Sequence, residues 1–137
     1  MPRMLAVVLA ASAVWICAGP AIAEDLMDDG IVTPAGLAMS AVRDGARLAA
    51  LTIVPLPQFP SFDKIVTRES GWNIFATNPV SGAYGIGQAL PPEKMATHGP
   101  DWRFNPMTQI RWTYDYMNER YGSPDRAWQF WQAHHWY

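Results

Sequence analysis

Seven Trp, five Tyr and five Phe are present in this sequence, and all but Trp15 lie from Phe59 onward. The single cysteine, Cys17, falls before that boundary, so no disulfide can staple the aromatic-rich part. A domain of that size buries only about 60% of the surface its unfolded chain exposes, and aromatic packing is what offsets the limit. The segregation predicts one small folded unit over residues 59–137, closed on aromatic side chains.

The residues before it read differently. Arg3 precedes an apolar run from Leu5 to Ala18, and Ala21-Ile22-Ala23 offers the small residues that a signal peptidase reads. Residues 1–23 are therefore expected to be a signal peptide, with cleavage before Glu24 and a secreted product in the cell wall or outside it. An uncleaved anchor is the alternative, but the run is shorter than the ~20 apolar residues a membrane-spanning helix needs. No stable membrane span is expected once the leader is removed. Loss of Arg3 leaves 9 basic against 12 acidic side chains. That balance argues against nucleic acid as a partner, because neutralising phosphates takes a basic face.

Residues 24–58 contain no aromatic side chain. Leu37, Ala41, Leu48 and Leu51 recur near helical spacing, but Gly36 and Gly45 weaken a helix there. A poorly ordered or partly helical leader is the expectation, with Pro55, Pro57 and Pro60 making its last part an extended, stiff spacer.

Within 59–137 the patterns are helical and the fold class is mainly α. Ser61 is placed to cap a helix carrying Phe62, Ile65, Val66 and Glu69 on one face, and Gly71 to end it. Thr77 to Gly82 is turn chemistry, and Pro91-Pro92 starts a short helix that Gly99-Pro100 stops. The clearest helix runs from Pro106 to Tyr121, with Asn105 as its cap, Gly122 past its end and Met107, Ile110, Tyr114, Met117 and Tyr121 as its buried stripe. A last helix starts at Ser123-Pro124 with Ala127, Phe130, Trp131 and His134 inward. A monomer is expected.

Glu69 is the acid whose position conflicts with simple solubility. Sharing a face with Phe62, Ile65 and Val66 desolvates a carboxylate and raises its pKa, which suits a general acid. A solvent-facing glutamate paired with Arg68 or Lys64 fits the same periodicity, and spacing alone leaves the two readings open.

Glu69-Ser70-Gly71-Trp72-Asn73, then Ala76, Asn78-Pro79, Gly82-Ala83-Tyr84-Gly85-Ile86-Gly87-Gln88 and Ala89-Leu90-Pro91, resemble the signature of the soluble lytic transglycosylase (SLT) family of lysozyme-like domains. The likeness covers about Phe62 to Tyr137 and is nearest to short secreted versions with an aromatic tail like Ala127 to Tyr137. It implies peptidoglycan glycan strands as the partner, no cofactor, and cleavage of the β-1,4 bond between N-acetylmuramic acid and N-acetylglucosamine. It also implies that Glu69 acts first as acid and then as base, giving a 1,6-anhydro sugar.

The same resemblance makes Gln88, at the end of the glycine loop, a substrate-binding residue, although bracing that loop is the simpler role for it. Where many members carry a serine that contacts the N-acetyl group, this chain has Asn78, and Ser81 is an additional loop residue. The Tyr-Asn-Ala-Gly segment common in the family corresponds here to Trp131-Gln132-Ala133-His134. That leaves Tyr84 or Tyr114 to supply a tyrosine hydroxyl near Glu69. Trp72, Trp131, Trp136 and Tyr137 have faces suited to stacking on sugars, though core packing is the default for any one of them.

Ordinary glycoside hydrolysis requires a second carboxylate about 5 Å from the acid, or about 6.5–9.5 Å away with a water between. Asp63, Asp101, Asp115 and Glu119 are the candidates, and Asp101 lies in an irregular stretch, so hydrolysis stays open beside the one-acid route. A wall-binding module that keeps the fold without catalysis is the third reading. No metal site is expected, since adjacent His134 and His135 point about 100° apart on a helix and His98 has no i, i+4 partner. Gly85-Ile86-Gly87 lacks the third glycine and the strand of a dinucleotide loop.

Overall fold

Every helix of the described residues carries a proline at its first or second position. The computed structural model describes residues 33–137 and holds α1 (Pro34–Ala50), α2 (Phe59–Ser70), a 3₁₀ helix (Pro92–His98), α3 (Pro106–Tyr121) and α4 (Pro124–His134). Proline tolerates a first turn because its missing N–H would have no partner there. Asn105 and Ser123 cap α3 and α4 by accepting from the backbone N–H of Met107 and Arg126. Gly71 and Gly122, both left-handed, end α2 and α3. The described residues contain no strand, only isolated bridges pairing Thr77 with Tyr84 and Tyr84 with Ala89. None of their helices is long and apolar enough to cross a membrane. The expected signal peptide, Cys17 and the start of the leader lie outside the described residues.

The compact body runs from Ala38 to Tyr137. Its main core joins Phe62, Ile65 and Val66 of α2 to Ile86, to Ile110 and Met117 of α3, and to Ala127 of α4. A smaller cluster holds Ala89, Met95, Trp102 and Trp112. The core also takes in Ala46, Ala50 and Val54, so it reaches back past the boundary expected at residue 59. Residues 34–50, in the leader expected to be poorly ordered or partly helical, form a helix despite Gly36 and Gly45. Tertiary contact outweighs the glycines: Ala46 and Ala50 are buried, and Arg47 grips Asp63 through two bonds of 2.8 and 2.6 Å. Pro55 to Pro60 turns tightly into α2, with Phe59 N–H donating to Pro55 O at 3.0 Å.

Three further details differ from the sequence expectation. Ser61 lies inside α2, where its hydroxyl donates to Asp125, the carboxylate that also accepts from Gln58 Nε2 at 2.9 Å. These bonds tie α2 to α4. His134 is exposed and stacks on Phe130 rather than facing inward. The buried face of α3 is broader than the expected stripe, adding Thr108, Gln109, Trp112 and Thr113, while Met107, Tyr114 and Tyr121 are only half-buried.

The broad face exists because the long loop between α2 and α3 folds over it. Fully buried Gln109 donates from Nε2 to Ile74 O at 2.9 Å and Trp102 O at 2.8 Å, and accepts from Ile86 N–H at 3.0 Å. One side chain thereby satisfies three loop groups that no water reaches. Gln109→Leu keeps the volume and strands all three, and each buried unpaired group costs about 1–3 kcal/mol. Chemical denaturation is expected to show a loss of roughly 3 kcal/mol or more, and a loss below about 1 kcal/mol would contradict this account of the loop.

Candidate active site

Glu69 sits in the last turn of α2, immediately before Ser70 and the left-handed Gly71, whose N–H donates to Thr67 O at 3.0 Å. The glycine permits the reversal that stops the helix there, leaving the glutamate at its end. Ser70 then fixes the helix end to the glycine loop, its hydroxyl donating to Ile86 O at 2.8 Å. Trp131 of α4 closes the other side: its indole Nε1–H donates to Glu69 Oε1 at 2.8 Å.

The carboxyl is half-buried, and burial pushes its pKa above the usual glutamate value, with the Trp131 bond pulling the other way. No cation opposes that rise. Arg68 turns onto the faces of Trp131 and Trp128, at 5.0 and 5.4 Å from the ring centres, and Lys64 lies 5.6 Å from that of Trp128. Ion pairs among the described residues are Arg47–Asp63 and His98–Asp115, so the pairing of Glu69 with Arg68, Lys64 or Arg111 is not found.

Three of the candidate second carboxylates are engaged elsewhere. Asp63 accepts from Arg47 and from Trp72 Nε1 at 2.9 Å. Asp101 accepts from Asn105 and Thr108 at 2.6 and 2.7 Å, which lowers its pKa. Asp115 meets His98 Nε2 at 2.8 Å, while Glu119 is exposed on α3.

Tyr137 packs edge-on against Tyr116, with ring centres 5.6 Å apart, and its hydroxyl donates to Gly87 O at 2.7 Å. Its phenol is pushed well above the ordinary value, first by burial and then by the negative charge of Glu69. The hydroxyl therefore stays protonated and keeps its bond to Gly87 O. Gly87 must be glycine for this approach, because a Cβ there would lie 2.9 Å from the Tyr137 hydroxyl and collide with Thr113.

Neither Tyr84 nor Tyr114 bonds Glu69. The Tyr84 hydroxyl donates to Arg103 O at 2.7 Å, and the Tyr114 ring packs against Phe62. The donor held against the carboxylate is the Trp131 indole, a role the sequence reading did not give it. Gln88 braces its loop, Nε2 donating to Gly85 O at 3.0 Å and Ala76 O at 3.2 Å, and it also lines a cleft described below. Asn78 Oδ1 accepts from the N–H groups of Val80 and Ser81 at 2.9 and 3.1 Å, which shapes the turn. Gln132 and Trp136 are exposed, and Trp136 stands edge-on to Phe130. The structure thus brings Trp131 to Glu69 and Tyr137 to Gly87, and Ser70 joins the glutamate's helix end to the glycine loop, with Asn78 and Tyr84 engaged in building that loop. Sequence reasoning missed Ser70 and Gln109, whose only visible signal was a polar residue beside a core position.

The family model described as "Transglycosylase SLT domain" matches residues 60–135, from the first turn of α2 to just past α4. No curated protein and no solved structure matches the chain.

The raised pKa of Glu69 has a consequence for stability. A carboxyl whose folded pKa exceeds its unfolded value favours the fold fully below the unfolded value and loses that contribution as pH rises through the folded one. Glu69→Gln is therefore expected to melt above the wild type at pH 7, with the gap closing below about pH 4. In a Trp131→Phe background, where the carboxyl loses its donor, the transition in that gap should extend to higher pH. A gap that does not vary with pH would contradict the burial of this charge.

Proposed function

The chain belongs to the transglycosylase SLT domain family, whose activity is cleavage of peptidoglycan, and from that premise we propose that it is a lytic transglycosylase with Glu69 as its single acid and base. Protonated Glu69 gives its proton to the glycosidic oxygen between N-acetylmuramic acid and N-acetylglucosamine as the bond from C1 breaks. The resulting carboxylate removes the proton of the muramyl C6 hydroxyl while that oxygen closes onto C1. The proton count balances without water, and the product is a 1,6-anhydro sugar.

The observation that carries this reading is the partner of Glu69. An indole N–H orients the carboxyl without adding a positive charge, so burial still raises the pKa, the direction a general acid needs. A guanidinium in that place would favour the ionised form. The engagement of Asp63, Asp101 and Asp115 elsewhere supports one carboxyl serving both steps. The export signal read in residues 1–23, together with a substrate class located outside the cytoplasm, supports action in the cell wall.

Glu69→Gln retains the acceptor for Trp131 and removes the transferable proton. Release of fragments from purified sacculi is expected to drop by at least ~10²-fold, the usual worth of a general acid, while sedimentation with sacculi persists. Undiminished release by this variant would overturn the assignment and leave a wall-binding module in its place.

A further inference from the structure

A cleft of about 240 Å³ is walled by the Gly87 to Leu90 stretch and by Tyr137, on the glycine loop that Ser70, the residue after Glu69, holds through its bond to Ile86 O at 2.8 Å. Its floor is aromatic: Trp112 and Tyr116 stack with centres 5.1 Å apart and planes 18° from parallel. Its charged lining residues are Lys94 and Arg120, with no carboxylate among them. Arg120 is held by neutral partners, donating from Nη1 to the Tyr116 hydroxyl at 2.7 Å and lying 5.6 Å from the ring centre of Trp136. Neither cation forms an ion pair among the described residues. Two positive charges at an aromatic floor suit an anionic group carried on a short organic chain.

We propose that this cleft binds a carboxylate of the peptide stem that muramic acid carries on its lactyl group, so that Lys94 and Arg120 make the protein select stem-bearing glycan strands. The proposal rests on peptidoglycan being the substrate. The stem is favoured over a separate anionic polymer because the cleft is built on the Gly87-Gln88 loop, which Ser70 ties at Ile86 to the end of the helix that carries Glu69. A group bound there must be tethered close to the bond being cut. Gln88, whose amide nitrogen is spent on its own loop, keeps its carbonyl oxygen to accept from a peptide N–H in the cleft.

The test separates binding from cleavage. Full-length Glu69→Gln protein is titrated with short glycan strands bearing stems, with the same strands stripped by an amidase, and with a poly(glycerol phosphate) chain. Stem-bearing strands should bind about 10-fold or more tightly than stripped ones, the scale of a charge-assisted hydrogen bond. Adding Lys94→Gln or Arg120→Gln should close that gap. Lys94 is exposed, so its variant guards against a folding defect at Arg120. Equal affinity for both strands, or an equal loss on both in the variants, would overturn the proposal. Tight binding of the phosphate polymer that the variants abolish, with no stem preference, would overturn it in favour of a phosphate site. If the wild type cleaves neither strand while the stem preference holds, the cleavage reading fails and the subsite stands.

Discussion

The three hydrogen bonds of the Gln109 side chain hold the loop between α2 and α3 onto the body of the protein. That loop is long, poor in regular structure and rich in backbone groups that need partners once buried. Gln109 satisfies one group each at Ile74, Ile86 and Trp102, three points spread along it. Ile86 is used twice, because its carbonyl also accepts from Ser70. The end of α2, the glycine loop and α3 are thereby fixed in one frame, and Glu69 stands at the junction. A small core without a disulfide achieves this with a polar clamp because apolar packing offers no partner to the loop's buried backbone groups.

The second constraint is electrostatic. Glu69 is oriented without being neutralised: an indole donor holds it, and the neighbouring arginine is stacked on tryptophan faces. Arg68 is adjacent in sequence and would be the natural partner for the carboxylate. The stacked Trp128–Trp131 pair, 5.4 Å between centres, offers its guanidinium a surface and so draws it away from the acid. Trp131 thus acts on Glu69 in two ways, by donating from its edge and by occupying Arg68 with its face.

Much of this was legible in the sequence, and the reasons are physical. Asn105, Pro106 and Gly122 delimit α3 because caps are local chemistry, and the aromatic segregation located most of the core. The resemblance over Glu69 to Gln88 agrees with the family match over residues 60–135. What escaped was long-range. Arg47 meeting Asp63 and Ala46 entering the core make the leader's second half part of the body, and neither is a local signal. The substitution of an indole for a phenol beside Glu69 was equally hidden, since α4 brings Trp131 to a residue far away in sequence.

The central claim is that Glu69 works alone, as acid and then as base, with the sugar's own C6 hydroxyl as nucleophile. Mass spectrometry of the muropeptides released from purified sacculi tests it most directly. The account predicts fragments ending in 1,6-anhydro-N-acetylmuramic acid. Fragments uniformly heavier by one water, with reducing ends and no anhydro product, would contradict it and make water the nucleophile in place of the C6 hydroxyl.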